Sequence, residues 1–238
     1  MPFADTSVYK IPPELDDEEV LFLADILPTA YEVGVLNGRV EPGDTVAIVG
    51  AGPIGLAAVL TARLFTPAHI VAIDKDDGRL ERAHELGADV TINNGNVDAV
   101  DVVMKLTGGL GADVAIEAVG VPDTFELCTE LVRPGGRVAN VGVHGHSVTL
   151  HLETLWIRDL TITTGLVDTF TTPRLLDLVA EGKLDALPFA THYFPLEETM
   201  DAYDTFADAA TTHALKVVLA SPFGKKATAR EQALAGVV

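Results

Sequence analysis

From Thr45 onward the chain alternates short runs of β-branched residues with longer stretches whose apolar positions recur at helical spacing. That alternation predicts βαβ units built on a parallel sheet. "TVAIV" (45–49) is apolar enough to be buried on both faces as a first strand, and "PIGLAAVLTARLF" (53–65) places Ile54, Leu56, Ala57, Leu60 and Leu64 on a helix packed against it. "HIVAID" (69–74) predicts a second strand, "DDGRLERAHELGA" (76–88) a helix closed by Gly87, and "VTINN" (90–94) a short third strand. A helix over 97–106, a fourth strand "DVAIEAV" (113–119) and a helix "TFELCTELV" (124–132) follow. After a turn "RPGG" come a fifth strand "RVANVGV" (137–143) and a sixth within "LTITTGLV" (160–167). Six such strands with intervening helices make an α/β fold, a doubly wound sheet of expected order 3-2-1-4-5-6.

The flanks have a different texture. Residues 1–39 are interrupted by Pro12-Pro13 and Pro28 around an acidic helix start, "ELDDEE". Beyond the sixth strand, "TPRLLDLVAEGKL" and "EETMDAYDTFADA" predict helices, the second with Met200, Tyr203 and Phe206 along one face. "ALKVVL" predicts one more strand, and residues 221–238 a loose tail.

Charge narrows the function classes. Against 35 acidic residues stand 16 lysines and arginines, a formal net charge of −19, which repels nucleic acid and anionic membrane alike. Such acidity suits either life in high salt or an ordinary acidic cytosolic enzyme. No apolar run approaches the roughly 18 residues of a membrane span, and "MPFADTSVYK" lacks the order of a signal peptide, so a cytoplasmic location is expected. Cys128 is the single cysteine, which rules out an internal disulfide and a C-x-x-C zinc site within this sequence.

The chemistry-bearing motif is G-x-G-x-x-G at Gly50, Gly52 and Gly55, on a strand-to-helix turn. The first glycine makes the tight turn, the second lets backbone approach a pyrophosphate, and the third lets helix and strand pack closely. Pro53 and Ile54 open the helix and join the cofactor-contacting set, and Asp74 ends the next strand 19 residues after Gly55. A carboxylate there accepts from the ribose 2′-hydroxyl of NAD and repels the 2′-phosphate of NADP, so NAD is the expected cofactor. Arg79 follows the carboxylate and is not read as a 2′-phosphate ligand. The plainer alternatives are a merely tight βα turn and an Asp74 that caps the next helix.

With "DILPTAYEVGVLNGRVEPGDTVAIVGAGPIGLAAV", "DVAIEAVG", "LVRPGGRVANVGVHG" and "HALKVVL" in view, the chain resembles the zinc-dependent medium-chain alcohol dehydrogenase family. The resemblance covers that family's C-terminal two-thirds. It implies a Rossmann domain at 29–169, with 1–28 and 170–220 as remnants of a chaperonin-10-like catalytic domain whose first part, about a hundred residues, precedes the matched stretch. Asp25 matches the carboxylate or thiolate that completes the family's catalytic zinc site, but the matching Cys and His lie upstream. Zinc is therefore expected for the family and not expected to be held by this chain.

On the nicotinamide side, Thr29 matches a residue beside the ring, followed by Ala30 where the family has glycine. Val119, Gly120, Val141, Gly142 and Val143 match backbone that lines the dinucleotide, and Leu166 and Val167 match the segment that bonds the carboxamide. Lys216 matches a basic position that reaches the pyrophosphate, the alternative being a solvated lysine on an edge strand. The implied activity is hydride transfer between a small alcohol or carbonyl substrate and NAD, incomplete in this chain alone, with a homo-oligomer joined along the sixth strand. Rival readings are a non-catalytic NAD-binding or oligomerisation module, and one half of a split dehydrogenase. His144, His146 and His151 do not make a metal site, since Gly145 loosens their alignment and no Cys or carboxylate completes the set. Ser7, Ser147 and Ser221 sit in no nucleophile elbow, and Cys128 reads as a buried, inert thiol.

Overall fold

The computed structural model describes residues 8–221, so all of the expected tail but Ser221 lies outside the described residues. Two compact units divide at Leu184 and Asp185.

The first unit opens with α1 (Asp17–Val20), a tighter turn at Leu21–Ala24, α2 (Ile26–Pro28) and a π-helix, Thr29–Leu36. Then come β1 (Thr45–Val49), α3 (Pro53–Ala62), β2 (His69–Asp74), α4 (Asp77–Glu85), β3 (Val90–Asn93) and α5 (Ala99–Leu106). The second half runs β4 (Ala112–Glu117), α6 (Pro122–Leu131), β5 (Val132–Asn140), α7 (Leu152–Leu155), β6 (Thr161–Thr164) and α8 (Thr172–Ala180). The strands order as β3-β2-β1-β4-β5-β6, every pair parallel, as expected.

β1 lies at the centre, pairing with β2 and β4, and all five of its residues are buried. This is why "TVAIV" lacks alternation: Ala47 and Val49 enter a core with Val71, Ile73, Val103, Ala115 and Leu131, while Val46 and Ile48 are buried on the opposite face. The cluster includes Cys128, whose thiol is pushed well up by burial and by the nearby Glu117 carboxylate, the inert state expected of it.

Two local readings change. "RPGG" is not a turn ahead of β5 but an irregularity inside it: pairing begins at Ala112 with Val132 and resumes at Val114 with Arg137, so β5 carries extra residues there. Arg133 stays tied to β4 by an ion pair with Asp113 at 2.7 Å. The fourth, fifth and sixth strands also end earlier than their apolar runs, at Glu117, Asn140 and Thr164, which leaves Val119, Val141 and Leu166 in loops at the carboxyl edge of the sheet.

The second unit contains β7 (Ala190–Pro195), α9 (Thr199–Ala207), α10 (Ala209–Thr212) and β8 (Lys216–Ala220). β7 and β8 form a parallel two-stranded sheet with Ala190 opposite Lys216. The predicted face of Met200, Tyr203 and Phe206 on α9 is exposed among the described residues. β7 is not expected from the sequence, and it shows no alternation to mark it: Thr191 to Phe194 are all half-buried.

Candidate functional site

A cleft of about 370 Å³ opens at the carboxyl ends of β1, β2 and β4, lined by Gly50, Gly52, Asp74, Lys75, Asn94 and Val119 among others. The three glycines of the turn have separate causes. Gly50 has φ +99°, and a β-carbon there would lie 2.5 Å from Val119 Cγ2. One on Gly55 would lie 1.7 Å from the Gly50 carbonyl oxygen, so α3 reaches the turn only because position 55 has no side chain. One on Gly52 would meet nothing within 4 Å. That open space faces the start of α3, where Pro53 occupies the first turn and the first amides have no partners within the helix. Pro53 and Ile54 are half-buried there. Such a turn accepts an anion without further charge.

Asp74 closes the opposite wall. Its Oδ2 accepts from the Ala51 amide at 2.7 Å, and its Oδ1 from the amides of Lys75 at 2.7 Å and Asp76 at 3.0 Å. The cap of α4 is Asp76, which accepts from the Arg79 amide at 2.9 Å. Asp74 is thus not the helix cap; it holds the glycine turn against the end of β2. Lys75 and Arg79 both line the cleft beside it.

Glu117, unremarked in the sequence reading, organises the remaining wall. It is wholly buried at the end of β4, and its Oε1 accepts from the amides of Val119 and Gly120, each at 2.9 Å, and from the Thr124 hydroxyl at 2.7 Å. Its main-chain carbonyl accepts from Val141 at 2.8 Å and Gly142 at 3.1 Å. The residues matched to the dinucleotide, Val119, Gly120, Val141 and Gly142, are therefore gathered by one residue. Val143 is 90% exposed beside them. The visible signal was a lone carboxylate inside an otherwise apolar strand, which stays buried only with partners for its charge.

Asp25 and Thr29 meet within one turn: the Thr29 hydroxyl donates to Asp25 Oδ1 at 3.0 Å and its amide to the Asp25 carbonyl at 2.9 Å. A zinc ion requires about three protein ligands, and among the described residues no group of three or more His, Cys, Asp or Glu could hold a metal ion. The described donors do not fit zinc. Leu166 is 89% exposed and Val167 half-buried, in the loop after β6. That loop is tied to the π-helix by buried Glu32, the second residue the sequence reading missed. Lys216 lies in the other unit, half-buried on β8, with its carbonyl accepting from the Thr191 hydroxyl at 3.1 Å.

Residues 53–181 match the family described as zinc-binding dehydrogenase. The chain belongs to this family. An alcohol dehydrogenase of Cupriavidus necator is 40% identical over 212 residues, 87% of this chain and 58% of that protein. The solved structure of zinc dependent alcohol dehydrogenase 2 from Streptococcus pneumonia, in apo form, superposes with a TM-score of 0.89 at 46% identity, covering 94% of this chain and 64% of that one. A zinc-binding dehydrogenase of Sinorhizobium meliloti 1021 bound to NADP superposes at 0.80 with 29% identity, covering 89% and 62%. The dehydrogenase family's zinc-type, medium-chain branch and its C-terminal portion are as the resemblance implied. The chain spans about 58% of the first of these relatives.

Proposed function

We infer that this chain is the cofactor-binding part of an NAD-dependent oxidoreductase that moves hydride between an alcohol and NAD. The observation that carries the reading is the pairing of an open, anion-accepting turn at Gly52 with the Asp74 carboxylate 2.7 Å from the neighbouring amide. A pyrophosphate on the first turn of α3 leaves the adenosine ribose at the end of β2, where Asp74 accepts from its hydroxyls. The charge of Asp74 opposes a 2′-phosphate, so NAD is preferred here although one solved relative is bound to NADP. Bound NAD supplies the nicotinamide ring that takes up or gives hydride.

The chain's own residues bind and orient the cofactor. Val119, Val121 and Ala118 give the cleft an apolar wall, and Gly120 and Gly142 let two loops approach each other there. Thr29, Leu166 and Val167 on the nicotinamide side, and Lys216 toward the pyrophosphate, rest on the family resemblance, as does the division at 1–28, 29–169 and 170–220. Asp25 is proposed as one ligand of a zinc site that further donors complete. Alcohol turnover accordingly depends on donors beyond the described residues. A homodimer through β6 is supported by its place at the end of the sheet.

The test is fluorescence titration of the chain with NADH and NADPH. NADH binds more tightly, and Asp74→Ser narrows the difference; equal affinities in the unmodified chain remove Asp74 from this role. Robust zinc-dependent alcohol oxidation by the 238 residues alone would overturn the need for further donors beside Asp25.

A further inference from the structure

Beneath the loops that floor the cleft, the Glu117 carboxylate is part of a buried polar cluster that extends to Asn140 and His144. Glu117 Oε1 has three donors, but Oε2, fully buried, has no hydrogen-bond partner within the described residues. His144 Nε2 lies 3.5 Å from that oxygen and 2.8 Å from Asn140 Oδ1, with the ring edge-on to Phe125.

The hydrogen bonds decide where the imidazole proton sits. Asn140 Nδ2 lies 2.9 Å from the Gly142 carbonyl, which can only accept, so the amide nitrogen faces Gly142 and Oδ1 faces His144. An acceptor at 2.8 Å requires that Nε2 carry the proton. That N–H donates to Asn140, which holds the turn at Gly142, and the same nitrogen lies 3.5 Å from the carboxylate of Glu117, which holds Val119 and Gly120. The two turns are in contact: a β-carbon on Gly142 would lie 2.3 Å from both Glu117 Oε2 and the Gly120 nitrogen. Glu117 already links them, its carbonyl accepting from Gly142 at 3.1 Å and its Oε1 from Gly120 at 2.9 Å; His144 adds a side-chain link from Asn140 to the same carboxylate.

We propose that His144 is a positioning residue for the cofactor, its Nε2–H bonded to Asn140 and facing the Glu117 carboxylate, so that it steadies the two glycine turns at the carboxyl edge of the sheet. The inference rests on the cofactor reading above for its consequence. Its geometry stands apart from it.

The test compares His144→Phe, which keeps a ring against Phe125 and removes the N–H, with His144→Gln, which discards the ring and returns an amide donor near the Nε2 position. Two quantities are measured on the full chain: amide hydrogen exchange in the segment containing Val119 and Gly120, and NADH affinity by titration. His144→Phe should speed exchange and weaken NADH by roughly tenfold each, the scale of a buried acceptor, here Asn140 Oδ1, left without its donor. His144→Gln should stay within about threefold of the unmodified chain. If the ring matters only as packing, the order reverses and Phe is the milder change; that order, or equal effects, overturns the proposal. Should His144→Phe fail to fold, His144→Leu against His144→Gln provides the same ordering. If the unmodified chain does not bind NADH, the cofactor reading falls, while the exchange order still decides whether His144 holds the turns.

Discussion

Glu32 holds Thr171 through a single oxygen: Oε1 accepts the Thr171 amide at 3.0 Å and its hydroxyl at 2.7 Å, across 139 positions of sequence. The other oxygen accepts from Asp168 at 2.9 Å and Thr169 at 3.1 Å. One carboxylate of the π-helix thus gathers the segment that follows β6.

This carboxylate makes stability depend on pH with a definite sign. Burial raises its pKa, but the Thr171 hydroxyl and the three amides outweigh it and hold the carboxyl below its ordinary 4.5. A lowered folded value stabilises above the unfolded pKa, and the contribution is lost as pH falls through the folded one. Glu32→Gln should cost about 2 kcal/mol near neutrality, because its amide nitrogen faces N–H groups that need an acceptor. Urea unfolding at several pH values checks this: the gap between variant and parent closes in acid below 4.5, and a constant gap would show that charge is not involved.

Gly52 and Gly55 should separate binding from folding. A methyl on Gly52 meets nothing within 4 Å, so Gly52→Ala keeps the melting temperature while obstructing the pyrophosphate and losing NADH affinity at least tenfold. A methyl on Gly55 lies 1.7 Å from the Gly50 carbonyl, and Gly55→Ala should destabilise by several kcal/mol as α3 is pushed off the sheet. Thermal melts beside NADH titrations measure both. Parallel behaviour of the two variants would contradict the division of labour within the turn.

A net charge of −19 predicts a response to salt. If the acidity is an adaptation to high salt, screening of self-repulsion raises the melting temperature steeply between low and molar salt. A flat profile assigns the acidity to an ordinary acidic protein.

β6 ends the sheet, with Trp156 and Ile157 exposed shortly before it. Pairing of two such edges about a two-fold axis would bury that edge, and light scattering should then report a dimer. A monomer at high concentration would count against it.

The order of the sheet and the glycine turn were legible in the amino-acid sequence because both follow from local rules. Period and β-branching mark strands, the handedness of crossovers restricts their order, and a tight strand-to-helix turn needs glycine at fixed offsets. Asp74 was legible for the same reason, by its distance from the turn. What the tertiary structure alone decided is the fate of buried charge. "TAYEVGVL" and "DVAIEAV" each show a carboxylate in an apolar run, but the amides that satisfy Glu32 come from 168–171, and Glu117 draws on its own loop and faces His144 beyond the next strand. A buried carboxylate is tolerated only where donors converge on it, and convergence belongs to the folded chain rather than to any window of it. Asp25 is the converse case: among the described residues no group of three or more His, Cys, Asp or Glu converges on it.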